Sequence, residues 1–116
     1  IHNATVTRSD LHYVGSITID KALLELTGME KNERVLVVNN TSGSRLETYV
    51  IEGEANSGSI EMNGAAAHLI HPGDEVIIMA FSLSEKAFEP TTILVDEENK
   101  FVRYLNEGPS SKVDDC

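Results

Sequence analysis

The sequence predicts one small, mainly β domain closed as a barrel or sandwich, and three observations carry that reading. The chain has 116 residues, a length that suits a single compact domain. Its apolar residues fall in short β-branched runs separated by Gly, Asn, Asp and Pro, which is the punctuation of strands and turns. Short strands at this density must protect their edges, and a small barrel or sandwich does so.

Along the chain, the first clear element is helical. Asp20 is placed to cap residues 21–26, where Leu23 and Leu24 form an apolar edge and Gly28 a stop. Residues 35–38 and 45–51 flank Asn39-Asn-Thr-Ser-Gly43, which predicts two strands joined by a Gly-containing turn. Residues 65–70 predict a short helix closed by His71-Pro72-Gly73, and residues 75–81 read as a strand apolar on both faces. Ser84 opens a further turn ending before Pro90. Residues 92–95 and 101–105 flank Asp96-Glu-Glu-Asn99, a second hairpin. The domain is assigned to residues 1–105. Residues 106–116 contain Gly, Pro, two Ser and paired Asp without an apolar period, and are expected to form a flexible tail.

Composition removes several functions. Nine Lys and Arg against nineteen Asp and Glu give a net charge of −10, which excludes nucleic acid and anionic membranes as partners because both require clustered cations. Aromatic residues make up 5% with no Trp, too few to supply stacking platforms. The single cysteine, Cys116, has no partner for an internal disulfide. The longest strongly apolar run, residues 76–81, is far below the roughly 20 residues of a membrane helix. No signal-peptide pattern opens the sequence, so the cytoplasm is the expected location.

Single motifs are weak when taken alone. His68 and His71 have a spacing compatible with a metal on a helix, but no third ligand stands at a useful distance, so no metal is expected. Residues 96–98 read as a solvated acidic turn. Gly64-Ala-Ala-Ala67 lacks the Lys and second Gly of a phosphate loop. Ser16 lacks a nucleophile-elbow pattern. On the residues alone, a non-catalytic β-barrel binding module, with Gly15-Ser16 as an ordinary turn, remains open.

In combination the motifs say more. His12-Tyr-Val-Gly-Ser-Ile-Thr-Ile-Asp20, Arg45-Leu-Glu-Thr-Tyr49, Met62-Asn-Gly-Ala-Ala-Ala-His68 and His71-Pro-Gly-Asp-Glu-Val-Ile-Ile78 occur in that order. This set resembles the aspartate 1-decarboxylases, pyruvoyl-dependent lyases that convert L-aspartate to β-alanine and carbon dioxide for pantothenate and coenzyme A synthesis. The resemblance runs from Ile1 to about Tyr104. It implies a six-stranded double-psi β-barrel with a few short helices, assembled as a homotetramer with active sites between subunits.

The chemistry required is consistent with that resemblance. Decarboxylating an amino acid leaves an electron pair on carbon, and a cofactor normally supplies the sink. The family makes its own sink from the backbone, with neither metal nor pyridoxal phosphate. By resemblance, autocatalytic cleavage of a zymogen between Gly15 and Ser16 yields chains 1–15 and 16–116 and turns Ser16 into a pyruvoyl group, which forms a Schiff base with substrate. Glycine at position 15 is expected to leave the scissile carbonyl approachable and to permit backbone angles closed to other residues. Thr48 is assigned to the self-cleavage and Tyr49 to proton donation. Arg45 shares the Tyr49 face at the two-residue strand period, where its planar fork suits a carboxylate. Asn63, Gly64, Ala65, Ala66, Tyr13 and His2 are the remaining substrate-binding positions that the resemblance implies, while His12, His68 and His71 are read as structural. The same alternation points Thr48 away from Tyr49, so either a twist or bulge there is expected or a site that wraps the strand edge. The family also carries a substrate-binding lysine just before the position of Ile1. An uncleaved precursor is the other open reading, since a sequence does not separate precursor from product.

Overall fold

The structure, a computed structural model, describes residues 1–105; the predicted tail lies outside the described residues. In chain order the elements are β1 (Ala4–Thr5), β2 (Arg8–Asp10), β3 (Ser16–Asp20), α1 (Lys21–Thr27), β4 (Arg34–Asn39), β5 (Arg45–Gly53), β6 (Ile60–Asn63), a 3-10 helix (Gly64–His68), β7 (Glu75–Met79), β8 (Ile93–Val95) and β9 (Phe101–Tyr104). Seven strands form one curled sheet in the order β1-β7-β4-β5-β3-β6-β2, and β8 and β9 form a hairpin. The fold is mainly β with a few short helices, in keeping with a double-psi barrel.

One crossing in this topology positions the site. β2 runs parallel to β6, with Asp10 paired to Asn63, and β3 runs antiparallel to β6, with Ser16 paired to the same Asn63. The chain between Asp10 and Ser16 therefore passes around the end of β6. The core lies beneath: Ile17, Ile19, Val37, Val50, Ile60, Met62, Val76 and Ile78 are fully buried, and burying each such side chain is worth about 1.5–3 kcal/mol.

The helix follows its predicted capping. Asp20 accepts from the Ala22 N–H at 2.8 Å, Leu23 and Leu24 face the core, and Gly28 closes the end in the left-handed region at φ 79°, which costs glycine nothing. Asp20 does more than cap, because its carboxylate also accepts from the Asn56 and Gly58 N–H groups at 2.8 Å each. The loop after β5 is thereby tied to the end of β3.

Both predicted hairpins form, β4 with β5 and β8 with β9. The short helix expected over residues 65–70 forms with 3-10 geometry over Gly64–His68. Two expectations differ from the structure. No regular element opens at Ser84. The strand over residues 75–81 ends at Met79 and is buried on one face only, with Val76 and Ile78 inside and Ile77 and Met79 partly exposed. Of the two alternatives given for Thr48, the bulge is absent, since the β4–β5 ladder runs without interruption from Arg34↔Tyr49 to Val38↔Arg45. Near β7, the His71 backbone N–H holds the Asp74 carboxyl below its ordinary range; burial opposes this and the Asn39 side chain assists it.

Candidate active site

Strand parity assembles the site. In β3, Ile17 and Ile19 face the core, so Ser16 and Thr18 take the other face. Paired residues share a face, so Ser16↔Asn63 puts Asn63 with Ser16. On the other flank, the parallel pair Ile17↔Val50 places Val50 and Thr48 on the core side and Tyr49, Glu47 and Arg45 on the Ser16 side. The β4 ladder adds Arg34 opposite Tyr49. One face of the curled sheet thus carries Ser16, Asn63, Tyr49 and Arg45, drawn from three strands.

The centre of this face is Ser16, whose relative exposure is 0%. Asn63 Nδ2 donates to Ser16 Oγ at 2.9 Å and to Thr18 Oγ1 at 3.0 Å, so both amide hydrogens are used and the side chain is fixed. Ser16 Oγ in turn donates to the Val14 carbonyl at 3.2 Å. The hydroxyl is held within one residue of the Gly15 carbonyl and keeps a lone pair unassigned, the requirement for a nucleophile at that peptide bond.

Glycine is demanded at 64 rather than at 15. Gly64 has φ 71°, and a Cβ there meets Gly15 Cα at 2.6 Å and the Tyr13 carbonyl at 3.1 Å. Gly15 has no left-handed φ, and a Cβ on it meets its nearest atom, the Asn63 carbonyl, at 3.9 Å, so the backbone freedom expected of Gly15 is not what the fold uses. Gly64→Ala combines a left-handed strain on the order of 1–3 kcal/mol with a clash into the 13–15 backbone. It lowers the melting temperature by roughly 5 °C or more, as read by thermal unfolding; an unchanged midpoint shows that this backbone yields.

Tyr49 is 36% exposed and Arg45 is exposed without an ion pair among the described residues. Thr48 is half-buried on the core side. Extending the β3–β5 register back from Ile17↔Val50 sets Ser16 level with Tyr49 and Gly15 level with Thr48. With no bulge in the β4–β5 ladder, the strand edge is the alternative that remains for Thr48. Tyr13 is exposed in the loop around β6, Ala65 is exposed and Ala66 half-buried. His2 is not brought to this group: it bridges to Leu94 and lines a cavity of about 570 Å³ with Met29, Phe81 and Phe88, a cavity whose lining includes none of Ser16, Tyr49 and Asn63. His12, His68 and His71 are exposed. Thr18 was missed from the sequence, although the alternation of Ser16-Ile-Thr-Ile carries it onto the Ser16 face.

Residues 1–102 match the family described as aspartate decarboxylase. The aspartate 1-decarboxylase of Bacillus pumilus is 50% identical over 97% of this chain and 92% of its own length. That of Acetivibrio thermocellus is 50% identical over 97% and 93%, and that of Chlorobium chlorochromatii 54% identical over 85% and 80%.

Proposed function

The chain belongs to the aspartate decarboxylase family, and on that premise we propose that Gly15–Ser16 is a self-processing junction from which the enzyme makes its own pyruvoyl group. The reaction is removal of the 1-carboxylate of aspartate, giving β-alanine and carbon dioxide for pantothenate synthesis. The observation that carries the processing proposal is the Asn63 amide seated on the buried Ser16 hydroxyl, at the one junction where Gly64 lets the backbones approach.

In processing, Ser16 Oγ attacks the Gly15 carbonyl carbon. The peptide C–N bond breaks as the ester C–O bond forms, and the nitrogen stays on residue 16 as an amine. β-Elimination removes the α-hydrogen of residue 16 and expels the Gly15 carboxylate. The dehydroalanine left behind takes up one water and releases ammonia, which leaves a ketone. Thr48, which an extension of the β3–β5 register two residues back sets level with Gly15, is assigned to hydrogen-bond the scissile carbonyl.

Position 16 fits such a group. It is buried, and the departure of Oγ with the Gly15 carboxylate frees the Asn63 Nδ2 hydrogen that Oγ had held. When formed, the pyruvoyl group supplies a carbonyl that takes the substrate amine and an electron sink for the pair released with carbon dioxide. The chain's own residues do the rest. The Arg45 fork binds and orients a substrate carboxylate by two parallel hydrogen bonds. Asn63, with the backbone at Gly64, Ala65 and Ala66, donates hydrogen bonds at the reacting end. Tyr49 Oη delivers a proton to the carbon that lost its carboxylate.

The same reading includes a homotetramer with sites between neighbours, in which His2 and Tyr13 line the pocket. Two facts support it: His2 lies by β8 rather than with Ser16, and the large apolar side chains of Tyr13, Val14, Phe81, Leu83 and Phe88 are exposed, where a neighbouring subunit would cover them. No described helix is long and apolar enough to cross a membrane, and a biosynthetic role on a free amino acid supports a cytoplasmic site of action. The test is direct: purified protein incubated with L-aspartate releases β-alanine and carbon dioxide in equal amounts. Absence of β-alanine from fully processed protein overturns the assignment.

A further inference from the structure

Glu47 stands between Arg45 and Tyr49 on β5, two residues from each and on the same face. Its carboxylate is the same-face competitor on this strand for the guanidinium that a substrate carboxylate needs, and it adds negative charge where a dianion must dock. Yet Arg45 forms no ion pair among the described residues. The cation that engages Glu47 is Arg34, whose Nη2 donates to Glu47 Oε2. The ladder explains why: Arg34 lies opposite Tyr49 and one diagonal step from Glu47, within reach of a long side chain. Leu36 and Val38, opposite Glu47 and Arg45, carry no charge, so Arg34 is the cation that β4 offers on this face.

We propose that Arg34 is a positioning residue of the decarboxylation site: by holding Glu47 it leaves the Arg45 guanidinium open to a dicarboxylate and cancels the nearest opposing charge. This rests on the reading of Arg45 as the carboxylate-binding group. The net charge of −10 makes the arrangement consequential, since the overall field repels the substrate and capture depends on local cations. The side chains of Arg34 and Glu47 are 75% and 55% exposed, so solvent moderates the effect to a several-fold change in binding.

The probe is succinate, a dicarboxylate without an amine to react. In the whole protein, Arg34→Ala weakens succinate binding about three- to tenfold, measured by calorimetry, and raises KM for L-aspartate by the same factor while kcat stays within about twofold. Adding Glu47→Gln to Arg34→Ala restores both, because the uncompensated carboxylate is then gone. Raising salt to roughly 0.5 M shrinks the Arg34→Ala defect. Wild-type succinate affinity in Arg34→Ala overturns the proposal. A double variant that keeps the full defect also overturns it, because Arg34 then acts as a direct ligand. Succinate binding needs no turnover, so a failure to release β-alanine counts against the decarboxylase reading, while the succinate affinities alone decide the role of Arg34.

Discussion

Ser16→Ala leaves the chain in one piece and abolishes β-alanine release. The side chain is fully buried, and alanine removes a single oxygen from a site that already holds the rest of the side chain, so the barrel remains folded. The loss to stability is modest: Asn63 Nδ2 forfeits one of its two acceptors, worth on the order of 1 kcal/mol. The loss to chemistry is complete. Without Oγ there is no nucleophile at the Gly15 carbonyl, no ester to eliminate, and no ketone at position 16, and no other side chain supplies an electron sink. Gel analysis for cleavage and chromatography for β-alanine check the two halves, with circular dichroism as the control for folding. Cleavage that persists in this variant overturns the ester route.

Tyr49→Phe separates the two chemistries. The phenol lies on the face that carries Arg45 and Glu47, and its removal leaves the Asn63–Ser16 hydrogen bond and the Gly64–Gly15 approach intact. Processing therefore proceeds at close to the wild-type rate. Turnover falls by about 10²- to 10⁴-fold, the span typical of a lost general acid, because the carbon that has given up carbon dioxide lacks its proton source. Stability shifts by no more than about 0.5 kcal/mol, as for a surface position. Cleavage kinetics and β-alanine formation measured on the same preparation decide the matter, and wild-type turnover removes Tyr49 from the role.

How far these residues were legible in the sequence depended on the range of the interactions. Asp20, Leu23, Leu24 and Gly28 announce α1 because capping, packing and termination all lie within nine residues of one another. The β4–β5 hairpin is equally local, and its alternation put Arg45 and Tyr49 on one face. The Asn63–Ser16 contact spans 47 positions and depends on β6 lying between β2 and β3, which no local pattern encodes; the motif resemblance pointed to both residues without showing that they touch. One physical inference differs from the structure: glycine is expected at the scissile residue, whereas the close approach falls on Gly64 at the start of the 3-10 helix. Of the alternatives for Thr48, the uninterrupted β4–β5 ladder removes the bulge and leaves the strand edge. The Arg34–Glu47 pair follows from the hairpin register and was open to a reading of the sequence that carried the register through.

The central claim is that the chain makes its cofactor from its own Gly15–Ser16 bond, and intact-mass analysis of the purified protein tests it most directly. The predicted result is two species, one ending at Gly15 and one beginning at position 16, the latter lighter by one ammonia than a chain that begins with serine. A single mass equal to the unbroken chain, or a larger fragment that retains an N-terminal serine, would contradict it.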